Sequence, residues 1–233
     1  MGTTSYLARR GELETYFDRT AAQAWAKLTS DAPVSRIRAT VRAGRDRMRD
    51  ILLNTMPADL TGARVLDAGC GTGALSVALA RRGAAVTAID LSTTLVDLAR
   101  ERLPRDLGTG TIDFAVGDMM APELGAFDYV VAMDSLIHYP APDMARVVAA
   151  LAARTTSAVV FTFAPRTVML SAMWGVGRLF PRGDRAPAIE PVGARSISRR
   201  LMADPALSGW QIGRDERVMT GFYMSHALEL VRR

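Results

Sequence analysis

Residues Val65-Leu66-Asp67-Ala68-Gly69-Cys70-Gly71-Thr72-Gly73 run from an apolar strand pattern into three glycines at alternating positions, and then into a helical pattern. Few folds accommodate that succession. Glycine at such a turn reaches φ angles that other residues avoid, and it lets a ligand lie against bare backbone. A phosphate cradle of the Walker type would need Gly-Lys-Ser/Thr, and Gly73-Ala74-Leu75 lacks the lysine. The dinucleotide fingerprint fits loosely through Gly69 and Gly71, but Ala74 stands where its third glycine belongs. Asp67, two residues before the glycine run, suits a ligand with a cationic end near the strand tip.

Acids recur at the ends of the next strands. Val86 to Asp90 alternates like a buried strand and ends about 20 residues after the glycines, where an acceptor for a ribose diol belongs. Leu91 and Ser92 follow, with Ser92 placed to cap a helix over 93–102. Phe114 to Met119 contains another strand and then Asp118, and Phe127 to Met133 runs into Asp134-Ser135. Each acid taken singly also reads as a loop or capping carboxylate. Their shared place at the carboxyl edge of an open sheet favours a ligand site. The glycine loop resembles the first motif of the class I S-adenosylmethionine (SAM)-dependent methyltransferases, an acid followed by Gly-x-Gly-x-Gly. That resemblance implies SAM as methyl donor, held by Asp67, Gly69, Cys70, Gly71 and Gly73, by Asp90, Leu91 and Ser92, and by Asp118, Met119 and Asp134. It places the adenine amine at Asp118.

The rest of the chain supplies the matching architecture. Residues 1–57 read as an N-terminal helical arm, with helices over Glu12–Leu28 and Ile37–Met56 broken at Asp31-Ala32-Pro33. Residues 58–233 read as the methyltransferase domain. Strands are expected near 64–67, 86–90, 112–116, 127–133 and 158–163, and helices near 72–82, 93–102 and 142–154, with an irregular link at 120–126. Such alternation predicts an α/β, Rossmann-like sheet, mostly parallel, with helices on both faces. The 167–207 stretch breaks the rhythm and reads as a lid-like insertion, apolar from Met169 to Phe180 and helical near 194–203. Gly209–Val218 and Phe222–Val231 read as a closing antiparallel pair at the sheet edge.

Composition narrows the partners. The net charge is +5 and every basic residue but Lys27 is arginine. Nucleic acid, anionic lipid or a polyanionic small substrate would each suit that balance, as would a plain solvated helix face. Nucleic acid is disfavoured by the stretch after the fourth strand. Asp134-Ser135-Leu136-Ile137-His138-Tyr139-Pro140 is not the Asp/Asn-Pro-Pro-Tyr/Phe of base amino-methyltransferases, Cys70 is misplaced for a cytosine-C5 nucleophile, and no aromatic stacking platform is evident. One cysteine and two histidines argue against a disulfide framework or a protein-bound metal. No leader pattern and no apolar run near about 18 residues is seen, so a cytoplasmic protein, soluble or peripheral to a membrane, is expected.

Ile137-His138-Tyr139-Pro140, Phe161-Thr162-Phe163-Ala164-Pro165-Arg166-Thr167, Leu179-Phe180-Pro181 and the closing Phe222-Tyr223-Met224-Ser225 sharpen the reading. With Tyr16-Phe17, Trp25 and Val41-Arg42-Ala43-Gly44-Arg45, they resemble the magnesium-protoporphyrin IX O-methyltransferases of chlorophyll and bacteriochlorophyll synthesis. The resemblance runs from about Glu14 to the end of the chain. It implies methylation of one propionate of Mg-protoporphyrin IX, receipt of the porphyrin from the large porphyrin-binding subunit of magnesium chelatase, and a protein either soluble or peripheral at the photosynthetic membrane. Thr29 and Arg45 depart from it, since the family often has an aromatic and a histidine there. On this reading His138 orients the propionate or contacts the porphyrin magnesium axially; it also reads as a packing histidine beside Tyr139. Tyr16 and Tyr139 close over SAM or the macrocycle, or pack in the core. Arg42 meets the second propionate or faces solvent, and Trp174 covers the macrocycle or belongs to an ordinary helix. Two other functions stay open: methylation of another hydrophobic acceptor such as a quinone precursor, and a non-catalytic SAM-binding accessory role.

Overall fold

The computed structural model describes residues 4–18, 29, 35–167 and 188–233. Its centre is a seven-stranded sheet of order β3-β2-β1-β4-β5-β7-β6. The strands are β1 Arg64–Ala68, β2 Ala85–Asp90, β3 Thr111–Val116, β4 Phe127–Ala132, β5 Thr155–Phe163, β6 Trp210–Thr220 and β7 Tyr223–Arg232. The first five are parallel, while β7 runs antiparallel to β5 and to β6. The expected α/β sheet with its antiparallel edge is thus present. Chain order reverses beside β1, with β2 on one side and β4 on the other. That switch point opens a crevice at the carboxyl ends of the strands.

Period-2 alternation explains the two cores. Val65 and Leu66 in β1, Val130 and Val131 in β4, and Val159 and Val160 in β5 are fully buried and split between opposite faces. The Leu66 face is covered by α5 (Ala141–Ala152), α6 (Ala194–Met202) and Tyr6 and Leu13 of α1 (Thr4–Tyr16). The Val65 face is covered by α2 (Arg36–Leu53), α3 (Ala74–Ala80) and α4 (Thr93–Glu101).

Several boundaries move. α1 starts at Thr4 rather than Glu12, because its buried stripe needs only Tyr6 and Leu13, two turns apart, which a periodicity count passes over. The rest of the expected helix to Leu28 lies outside the described residues after Asp18. β5 begins at Thr155, earlier than read, because Thr155, Thr156 and Ser157 are polar yet pair in the sheet or beside it. The link at 120–126 holds a single 3-10 turn, Pro122–Leu124. Of the 167–207 stretch, residues 168–187 lie outside the described residues. The remainder is packed: Val192 bridges to Pro165, and Ile197, Leu201 and Leu207 are buried.

α2 reaches the sheet through one glycine. A Cβ at Gly44 would lie 2.5 Å from the Tyr223 ring, so a methyl group there forces helix and strand apart. Gly44→Ala is expected to lower stability by about 1–3 kcal/mol, typical of overpacking, read as a lower urea midpoint with an unchanged m-value. An unaltered midpoint would show that α2 is not seated this way.

Candidate active site

The carboxyl ends of β1, β2 and β4 open into a cavity of about 370 Å³. Its floor is the glycine loop, in which Gly69, Gly71 and Gly73 have φ of 89°, 53° and 79°. They do different jobs. A Cβ at Gly69 would sit 2.3 Å from the Ser135 Cβ, and one at Gly73 would sit 3.0 Å from the Phe114 ring, so both permit close packing of the chain on itself. A Cβ at Gly71 would meet no protein atom within 4 Å, and Gly71 lines the cavity, so its bare face is left for a ligand.

Two acids, Asp67 buried and Asp90 partly so, stand beside that loop. Asp90 accepts from Gly71 N (2.9 Å) and Ser92 N (2.9 Å), tying the end of β2 to the glycine turn. Burial raises its pKa, against the pull of those backbone donors. Asp67 accepts from Ser76 Oγ at 2.6 Å and is pushed up to about 7 by burial, opposed by the Ser76 hydrogen bond and reinforced by the charge of Asp90. Cys70 lies between them. Burial and then the two carboxylates raise its thiol well above the usual range, so it is neutral and no nucleophile. Two carboxylates that resist ionisation facing one cavity suit a ligand bearing positive charge. The ammonium and sulfonium of SAM fit that demand, and Gly71 fits its close approach.

This has a pH signature. The folded pKa of Asp67 lies above an unfolded value of ~3.9. The folded state therefore holds the proton more tightly, and the stability this contributes is lost as pH rises toward about 7. A bound cation favours the ionised form. SAM affinity is therefore expected to strengthen from acid pH up to about 7 and then level, with proton release seen in calorimetry across buffers of different ionisation heat. Binding without proton release, or with a flat pH profile, would contradict this.

The other acids are engaged by elements far along the chain. Asp118, read as the adenine acceptor, takes hydrogen bonds from Tyr6 OH (2.6 Å), Arg10 Nη1 (3.0 Å) and Met120 N (2.9 Å). Its neighbours Gly117 and Met119 line the cavity, together with Leu91 and Leu95. Asp134 has φ 54° and accepts from Arg45 Nη1 at 2.5 Å and from Tyr223 OH at 3.0 Å. Ser92 caps α4 through Leu95 N (3.2 Å) and donates to Asp18 Oδ1 (2.6 Å), fastening the segment after α1 over this side.

α2 also lines the cavity. Arg42, Arg45 and Arg49 line it from one face of α2, as spacings of three and four residues dictate. Arg49 pairs with Asp46 at 2.9 Å. His138 and Tyr139 also line the cavity, beyond the end of β4. His138 is 8% exposed, its Nδ1 lies 3.4 Å from Ala188 O, and its ring meets Phe17 edge-on at 6.1 Å. Tyr139 is buried and stacks on Tyr6 at 5.1 Å, and burial raises both phenols, so neither serves as a base. Phe17 rather than Tyr16 reaches the cavity wall, with Tyr16 edge-on behind it at 5.2 Å. Thr29 also lines the wall and accepts from Arg102 Nη1 at 3.0 Å. Trp174 lies outside the described residues. Tyr6, Arg10 and Phe17 were not singled out from sequence as site residues on their own, though Phe17 carried part of the resemblance.

A sheet of this order, with a glycine turn after β1 and an acid closing β2, has the architecture of the SAM-dependent methyltransferases. Comparison with known proteins agrees. Residues 65–157 match the family model described as a methyltransferase domain, and residues 132–232 match the magnesium-protoporphyrin IX methyltransferase C-terminus. The chain is 52% identical to the magnesium-protoporphyrin O-methyltransferase of Rhodobacter capsulatus over 97% of its own length and 98% of the relative's. It superposes on the crystal structure of magnesium protoporphyrin IX methyltransferase from Synechocystis with bound S-adenosylhomocysteine at a TM-score of 0.82. Identity there is 30%, covering 96% of this chain and 99% of that one. A ubiquinone biosynthesis O-methyltransferase of Xanthomonas oryzae is 48% identical, but over only 36% of each chain. The chain belongs to the magnesium-protoporphyrin IX O-methyltransferase family.

Proposed function

We propose that the chain transfers the methyl group of SAM to one propionate carboxylate of Mg-protoporphyrin IX. The products are the monomethyl ester and S-adenosylhomocysteine, a step of bacteriochlorophyll and chlorophyll synthesis. One observation carries this from geometry: a single cavity is lined both by the glycine loop with Asp67 and Asp90 and by Arg42, Arg45 and Arg49 of α2, of which Arg45 pairs with Asp134 and Arg49 with Asp46. The first suits a cationic donor and the second an acceptor bearing carboxylates. The near-full-length likeness to relatives named for this activity supports the same acceptor.

The chemistry asks little acid–base work of the protein. A propionic acid titrates at roughly 4–5, close to glutamate, so the acceptor is already ionised near pH 7. When bound, SAM supplies a methyl group on a sulfonium that leaves as a neutral thioether. A carboxylate oxygen forms the new O–C bond as the S–C bond breaks, and the bond's electron pair goes to sulfur. No proton moves. The residues must therefore align the oxygen and exclude water from both charges. His138, beside the cavity and nearly buried, is placed to donate a hydrogen bond that orients the carboxylate without a full counter-charge.

Delivery of the porphyrin by the chelatase porphyrin-binding subunit, and a cytoplasmic location peripheral to the photosynthetic membrane, are part of the same reading. No helix among the described residues is long and apolar enough to cross a membrane. Met219 and Phe222 beside the β6–β7 turn and Ile37 of α2 are more than half exposed, close to Arg36 and Arg38, which suits contact with anionic lipid.

Incubation of the purified chain with methyl-labelled SAM and Mg-protoporphyrin IX tests the proposal. One labelled methyl ester per porphyrin is expected. SAM binding without turnover would indicate the accessory role, and turnover of a quinone precursor alone would indicate the other methyltransferase.

A further inference from the structure

We infer that Asp134 is a positioning residue for Arg45 rather than a ligand of the methyl donor, and that the Arg45–Asp134 pair orients an acceptor carboxylate as a charge-compensated donor. This rests on the acceptor reading above.

Asp134 is the one non-glycine residue with positive φ among the described residues. A side chain holds that conformation only where its surroundings fix it. The fixing groups are visible. Its carboxylate accepts from Arg45 Nη1 (2.5 Å), Tyr223 OH (3.0 and 3.1 Å), Ser225 Oγ (3.3 Å) and Thr162 Oγ1 (3.3 Å), and its backbone N–H donates to Thr162 Oγ1 (2.7 Å). These donors come from α2, β7 and β5. A carboxylate offers about four acceptor sites. Tyr223, Ser225 and Thr162 approach Oδ1 and Arg45 takes Oδ2, so both oxygens are engaged by the protein itself.

Arg45 and Asp134 both line the cavity. A guanidinium carries five N–H donors in a fixed fork, so the group that binds Asp134 can also donate to a second carboxylate. The acceptor loses negative charge on its way to the ester. An uncompensated guanidinium would favour the ionised ground state over the transition state and slow the transfer. Paired with Asp134, Arg45 keeps its direction as a donor while the pair has no net charge.

The test compares wild type, Asp134→Asn, Arg45→Gln and the double variant in Mg-protoporphyrin IX methylation, with SAM affinity measured by calorimetry. Asparagine is isosteric and tolerates positive φ. Asp134→Asn is expected to lower kcat by roughly tenfold while the acceptor KM holds or falls, because the arginine is left uncompensated. Arg45→Gln is expected to raise the acceptor KM by roughly tenfold, the loss of one charge-assisted contact. In the double variant the kcat penalty of Asp134→Asn should disappear, since it acts through Arg45. SAM affinity should stay within about twofold throughout. A purely structural role would not separate a kcat loss in Asp134→Asn from a KM rise in Arg45→Gln. Weakened SAM binding by Asp134→Asn with an unchanged acceptor KM would overturn the inference, as would simple multiplication of the two single effects. Should Asp134→Asn fail to fold, Tyr223→Phe removes one bond to the carboxylate and must shift kcat and KM in the same directions; its failure to do so would also overturn it. Absence of methylation by wild type would instead sink the acceptor reading.

Discussion

His138→Ala is expected to lower kcat for Mg-protoporphyrin IX by roughly a hundredfold, while SAM affinity stays within about twofold. The size follows from alignment. A reacting pair displaced by about 1 Å can lose a factor of ~100, and no general base is there to be lost. The selectivity follows from position. His138 sits beyond β4, whereas the glycine loop and Asp90 lie at the ends of β1 and β2. Rate measurements at saturating SAM, with calorimetry on the same sample, check both halves. Turnover equal to wild type would remove His138 from the chemistry, and a parallel loss of SAM affinity would move it to the donor side.

Asp90→Ala should do the reverse, weakening SAM binding by roughly 10- to 100-fold, the range for a lost hydrogen bond to a charged group. Two effects act together. The variant removes the carboxylate expected to hold the ribose, and it releases Gly71 N and Ser92 N, which that carboxylate pins at 2.9 Å each. The glycine turn then loses its anchor to β2. At SAM concentrations high enough to fill the weakened site, kcat should largely recover. Unaltered affinity in calorimetry would overturn the assignment of Asp90.

What could be read in advance was local in the chain. Val65 to Gly73 specifies strand, turn and helix within nine positions, and the acid of β2 follows at a spacing set by one strand–helix–strand unit. Buried parallel strands such as β1 and β4 announce themselves as apolar runs. What could not be read was pairing at a distance. Tyr6 and Arg10 reach Asp118 across 112 and 108 positions, and Arg45 reaches Asp134 across 89. Nothing in the spacing of single polar residues foretells such meetings. For that reason the strand-end acids could be located but their partners could not. Asp118 and Asp134, expected from position to face SAM, also accept hydrogen bonds from α1 and α2. The same limit explains Phe17. Adjacent aromatics at Tyr16 and Phe17 are both half-buried, but which of them faces the cavity depends on helix phase, and the regular helix ends at Tyr16.

The most direct measurement is a crystal structure with both S-adenosylhomocysteine and Mg-protoporphyrin IX bound. One propionate should enter the cavity between the donor sulfur and His138, within reach of Arg45, with the second directed at Arg42. A macrocycle seated elsewhere, with neither propionate reaching the ends of β1 and β4, would contradict the account.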